Sequence, residues 1–110
     1  MKKLTCHCKA VEAEINLEGS LDKVIRCNCS ICKRKGAIMS MVKNEDFKIV
    51  KGKDNLKLYQ FHSKIAKHYF CTVCGIYTHH NPRANPAMTG FNVGCIDEIN
   101  IFDIKEIPVN

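Results

Sequence analysis

Val11-Glu12-Ala13-Glu14-Ile15-Asn16-Leu17 puts an apolar side chain at every second position. Neighbouring side chains of an extended chain point to opposite faces, so this alternation predicts a strand with one face buried and one wet. Working outward, Gly19-Ser20 and Asp22 read as a turn, and Lys23-Val24-Ile25-Arg26 leads into Cys27-Asn28-Cys29-Ser30-Ile31-Cys32. Ile38 to Val42 is an apolar run suited to a buried strand, and Asn44-Glu45-Asp46 turns the chain after it. Phe47 to Val50, Leu56 to Phe61, Ile65 to Phe70 and Ile76 to His80 are further strands, with turns at Gly52-Lys53-Asp54-Asn55 and His62-Ser63. Asn81 to Gly90, with Pro82 and Pro86, is expected to be a loop; Phe91-Asn92-Val93 and Ile99 to Ile104 complete the strands. Helical periodicity is confined to Ser30 or Ile31 through Lys35, with Gly36 as its stop and Ser30 as a cap. The expected class is mostly β, with at most short helices.

At 110 residues, 45% hydrophobic and 25% charged, the chain is expected to form one globular domain over residues 1–110, small enough to benefit from a metal staple. No stretch is long and apolar enough for a membrane span, and the start, Met1-Lys2-Lys3-Leu4-Thr5-Cys6, lacks the apolar run of a signal peptide. A cytoplasmic location is therefore expected, where thiols stay reduced and clustered cysteines mean metal more often than disulfide. The formal charge of +6 is spread along the chain apart from Lys33-Arg34-Lys35 and the region Lys48 to Lys57. Seven ionised thiols on two Zn²⁺ ions would bring it to about +3, which argues against nucleic acid as partner.

Seven of the eight cysteines fall in tight groups: Cys6-His7-Cys8, Cys27-x-Cys29-x-x-Cys32 and Cys71-Thr72-Val73-Cys74-Gly75. Thiolates one to three residues apart can curl around one soft tetrahedral ion, whereas a disulfide across so short a gap is strained. The outer pairs together supply four thiolates, enough to close one tetrahedron as a structural zinc site. Gly75 suits the tight backbone of such a knuckle. Cys27, Cys29 and Cys32 supply three, which leaves one corner for a visitor. The alternatives for the outer pairs are redox dithiols or ligands of separate ions. Zinc on three thiolates is a weak Lewis acid, so accepting a fourth thiolate from a substrate suits it better than activating water. Lys33, Arg34 and Lys35 could draw in an anionic thiol, or could be a solvated turn of helix.

Cys95 is either a fourth protein ligand of the middle site or, as is more usual for a cysteine amid apolar residues, buried core. His7, His62, His68, His79 and His80 are expected to be surface or satisfied side chains by default, His7 pointing away from the metal.

The three cysteine motifs in this order, with Gly36-Ala37 after the second, Leu56-Lys57-Leu58-Tyr59 and Asn92-Val93-Gly94-Cys95-Ile96-Asp97, resemble the glutathione-dependent formaldehyde-activating enzyme and centromere protein V family from about Leu4 to Asp97. The resemblance implies a tent-like zinc-binding β fold of packed antiparallel sheets. It implies a structural zinc on Cys6, Cys8, Cys71 and Cys74, and a second zinc on Cys27, Cys29 and Cys32 at which the sulfur of glutathione meets formaldehyde. The implied activity is that of a carbon–sulfur lyase forming S-hydroxymethylglutathione. Lys9, Lys33 and Ile76 stand where the family often has glycine, arginine and threonine.

Two rival readings follow from the same residues. A non-catalytic, zinc-stapled module for an acidic partner or nucleic acid is favoured if Cys95 or a histidine fills the middle site. A zinc-stapled methionine sulfoxide reductase would need Cys95 as its redox group and leaves the middle trio unexplained. Sequence gives no oligomeric state and no proton donor for the lyase reaction.

Overall fold

The computed structural model describes residues 1–17, 21 and 23–109, so the turn expected at Gly19-Ser20 and Asp22 lies outside the described residues. Among the described residues, eight strands form two antiparallel sheets. The smaller has the order β1 (Lys2–Thr5), β2 (Glu12–Ile15), β4 (Phe47–Lys51). The larger has the order β3 (Met39–Lys43), β8 (Met88–Asn92), β7 (Tyr77–Asn81), β6 (Lys67–Cys71), β5 (Leu56–Tyr59). A helix, α1 (Ser30–Lys35), precedes β3. The fold is mostly β, as expected.

The alternation in β2 does what it predicted: Ala13 and Ile15 are fully buried while Glu12 and Glu14 are partly exposed. With Leu4 of β1 they pack against Ile38, Val42, Phe91, Val93, Cys95 and Ile96 in one core between the sheets. Burial of such side chains contributes about 1.5–3 kcal/mol each, which is what orients both sheets. Among the described residues, no helix is long and apolar enough to cross a membrane.

The helix occupies the expected residues and ends at Gly36 in the left-handed conformation, φ 64°. Its N-cap is Cys29 rather than Ser30, which is already the first helical residue. Other expectations are corrected. Lys2–Thr5 is a strand the sequence reading missed, because only Leu4 of its four residues is buried. The loop expected to Gly90 ends earlier, since β8 starts at Met88; the Asn81 side chain, inside β7, reaches the Met88 carbonyl at 3.1 Å and holds the hairpin closed. Val93 belongs to a 3₁₀ turn over Val93–Cys95, initiated by the Asn92 side chain accepting from Gly94 N–H at 3.1 Å. Ile99 to Ile104 is not a strand but contains a 3₁₀ turn over Ile101–Asp103, capped in the same way by Asn100. In both cases an asparagine carbonyl competes with the strand ladder for backbone N–H groups.

Candidate metal centres

Cys6 and Cys8 sit in the tip of the β1–β2 hairpin, where Cys6 N–H donates to Val11 carbonyl and Lys9 N–H to Cys6 carbonyl, both at 3.1 Å. Cys71 ends β6, and Gly75 N–H donates back to its carbonyl at 2.8 Å, which folds Cys74 under it. Gly75 has φ 77°, a conformation in which a Cβ is disfavoured, so the glycine fits the knuckle as expected. One hairpin tip from each sheet thus contributes two thiols. The four sulfurs all lie within 4.8 Å of one another, Cys6 to Cys8 at 3.7 Å and Cys8 to Cys71 at 3.8 Å. Sulfurs about 2.3 Å from a tetrahedral zinc are about 3.8 Å apart, whereas a disulfide needs about 2.05 Å. The spacing fits a metal-bound quartet, and all eight cysteines are free. Backbone N–H groups of Val11 and Val73 donate to the Cys6 and Cys71 sulfurs at 3.3 and 3.4 Å. For Cys74 burial acts to raise the pKa, but N–H groups of Cys8 and Ile76 and the Cys71 and Cys8 thiols bring it down to about 6.

Cys27, Cys29 and Cys32 likewise lie within 4.8 Å of one another. Among the described residues no fourth histidine, cysteine, aspartate or glutamate joins that group. Cys32 is pushed up to about 12, first by burial and then by the hydrogen bond and charge of Cys29. Cys29 moves the opposite way: burial resists, but the backbone of Cys32 and Ile31 and the two neighbouring thiols lower it. Three thiols this close together are a donor set that suits a soft divalent cation. Both groups therefore could hold a metal ion, consistent with zinc.

The trio opens on a cavity of about 430 Å³ bounded by α1, the Phe61–Ala66 turn and the outer face of the large sheet. Strand register explains which side chains reach it. Met41 pairs with Gly90, Gly90 with His80, His80 with His68, and His68 with Tyr59, so these residues form one row across all five strands. Paired residues point to the same face, and His68 and His80 stack with centroids 5.6 Å apart. A Cβ on Gly90 would lie 2.2 Å from His80 Cε1, so only glycine leaves room for that ring. The neighbouring row, Tyr69 with His79, faces the opposite way and stacks at 4.5 Å, with Phe47 of the small sheet against His79.

A bulge in the β6–β7 ladder, where Tyr69 pairs with His79 but Phe70 with Tyr77, shifts Tyr77 onto the face of His80. Its hydroxyl is hydrogen-bonded to His80 Nδ1. Lys35, turned inward from α1, lies 3.7 Å above the Tyr77 ring and donates to His68 Nδ1 at 2.9 Å. Burial lowers Lys35 to about 8 against the pull of the Cys32, Cys29 and Cys27 sulfurs. Burial, then the Lys35 charge, lowers His68 to about 4 and His80 to about 3. At neutral pH the lysine is charged and both imidazoles are neutral.

The structure brings together both expected cysteine sets. Cys95 is buried core, its thiol 3.7 Å from the Tyr77 carbonyl and outside the middle group. His7 is exposed, as expected. His68, His79 and His80 are buried and satisfied. The Lys35–His68 contact was missed, since Lys33-Arg34-Lys35 read as one basic run. Only Lys35 turns inward, while Arg34 bonds the Ser30 carbonyl at 2.9 Å. A usable signal was His79-His80 within a strand: adjacent residues face opposite ways, so one of the two must point into whatever covers each face.

The comparisons agree with this architecture. A crystal structure of a Rhodobacter sphaeroides protein, a structural genomics target, superposes with a TM-score of 0.93 at 46% identity, over 98% of this chain and 99% of that one. The family model described as glutathione-dependent formaldehyde-activating enzyme matches residues 1–107. On fold, cysteine sets and that match together, the chain belongs to the glutathione-dependent formaldehyde-activating enzyme family.

Proposed function

We propose that residues 1–110 act as one domain and form a zinc enzyme of the carbon–sulfur lyase type, making and breaking the adduct between a small-molecule thiol, such as glutathione, and an aldehyde, such as formaldehyde, in a reducing cytoplasm. The observation that carries this reading is the contrast between a closed four-cysteine set and a three-cysteine set that borders a cavity. Cys6, Cys8, Cys71 and Cys74 are assigned to a structural zinc. Cys27, Cys29 and Cys32 are assigned to a reactive one. Zinc bound by the trio would supply a positive centre that keeps a visiting thiol in its anionic form near neutral pH.

The chain's own contribution is position and a proton. In the forming direction the sulfur lone pair makes the S–C bond, the carbonyl π pair moves to oxygen, and the oxygen needs one proton. Lys35 occupies His68 Nδ1, so the other ring nitrogen, Nε2, carries the hydrogen in the neutral imidazole. His68 borders the cavity and is assigned as donor to the aldehyde oxygen; Lys35 restores its proton at Nδ1. Cleavage runs the same steps in reverse.

The test is exchange NMR of glutathione with formaldehyde in the presence of the zinc-loaded protein. Adduct exchange should accelerate well above the uncatalysed rate. His68→Gln should slow it by about 10²-fold, a usual loss for a general acid, with zinc content unchanged. An uncatalysed rate with the wild type, across glutathione and simpler thiols, would remove the enzyme reading.

A further inference from the structure

The cavity beside Cys27, Cys29 and Cys32 has a character that neither partner of the reaction above requires. A one-carbon aldehyde is hardly larger than a water molecule, whose share of liquid volume is about 30 Å³. The cavity measures about 430 Å³, within the range that takes whole organic ligands. Its apolar wall is built from Ile25, Ile31, Met39, Met41, Phe61 and Ala66. Glutathione brings two carboxylates and an ammonium, and each charge taken from water needs a partner. Among the described residues lining the cavity, Arg83 alone carries a fixed charge, and it stands at the exposed edge. Lys33, Arg34 and Lys35, the basic run that could have received an anionic peptide, do not line it. Among the described residues, no aspartate or glutamate lines it to meet an ammonium group.

Resting on the thiol-adduct reading, we infer that the preferred thiol of this site is not a zwitterionic peptide but one whose sulfur is carried by an apolar, ring-sized body with at most one carboxylate, the body lying against Met39, Met41 and Phe61 and the carboxylate reaching Arg83. Such a ligand buries apolar surface against apolar surface and leaves a single charge at the rim, where a guanidinium can pair it in two-pronged fashion. The hydroxyl and imidazole groups of the wall accept polar atoms near the sulfur without demanding a charge. His68 and His80 are held neutral by burial, so they add no attraction for a second carboxylate.

The test is a binding measurement that needs no turnover. The full-length protein is loaded with Co²⁺, and its sulfur-to-metal absorption bands are followed as four thiols are added separately: 2-mercaptoethanol, glutathione, 2-phenylethanethiol and 4-(2-sulfanylethyl)benzoate. The benzoate thiol should bind at least tenfold more tightly than glutathione, and 2-phenylethanethiol more tightly than 2-mercaptoethanol. Arg83→Gln should abolish the advantage of the benzoate thiol over 2-phenylethanethiol, and Met41→Gln should reduce the affinity of both aryl thiols several-fold. Glutathione binding as tightly as the benzoate thiol, or more so, overturns the inference while leaving the proposed function standing. Bands unmoved by every thiol overturn the proposed function and the inference with it.

Discussion

Lys9 holds φ 65°, in the left-handed region, at the turn that presents Cys6 and Cys8. A side chain in that conformation costs roughly 1–2 kcal/mol, against about 0.5–1 kcal/mol for the extra freedom glycine loses on folding. The turn is fixed by the Lys9 N–H bond to the Cys6 carbonyl, so the strain is held in place by the quartet it helps to build. Lys9→Gly is therefore expected to stabilise the zinc-loaded protein by about 0.5–1 kcal/mol, raising Tm by a few degrees. Thermal unfolding followed by circular dichroism checks it; an unchanged or lower Tm would mean that the Lys9 side chain contributes something its exposed position does not suggest. This position was legible in the sequence as a departure from the usual glycine, but its cost was not, because the dihedral belongs to the turn and not to the residue type.

At the scale of elements, the large sheet works through register. Gly90 of β8 stands between Met41 and His80 in the row that runs from Met41 to Tyr59, and a methyl there would collide with the His80 ring. That ring cannot swing freely, being stacked on His68 and bonded to the Tyr77 hydroxyl. Gly90→Ala should cost about 1–3 kcal/mol, the usual range for overpacking. It should also disturb the His68 environment, visible as a change in the imidazole NMR signals of both histidines; a variant with wild-type stability and unshifted imidazoles would show that the row has slack. None of this is readable from sequence. Alternation located most strands, including β2, because one buried face is enough to mark a strand. Which histidine meets which depends on pairing across β6, β7 and β8, and on one bulge that no local pattern announces. Ile99 to Ile104 misled in the complementary way: apolar residues spaced like a strand, but with Asn100 bending the backbone into a turn.

For the molecule as a whole, the proposed function divides the labour of the two cysteine sets between stability and reactivity, and that division can be measured. The quartet clips the β1–β2 hairpin of one sheet to the β6–β7 hairpin of the other, at a point where the supporting core is only Cys6, Val11 and Cys71 with a few partly buried neighbours. Structural zinc contributes on the order of 10 kcal/mol or more to such small domains, and the net stability of a domain is itself only about 5–15 kcal/mol. Removing one ligand there should therefore unfold the chain. The middle trio lies outside both core clusters: none of Cys27, Cys29 and Cys32 belongs to either. Its loss should leave the sheets intact. Two variants separate the roles: Cys71→Ser should bind little zinc and lack the β signal in far-ultraviolet circular dichroism, whereas Cys29→Ser should fall from two zinc equivalents to one and keep that signal. Equal zinc content in the two variants, or unfolding of both, would mean that the trio is a second staple, and the cavity beside it would lose its chemical purpose.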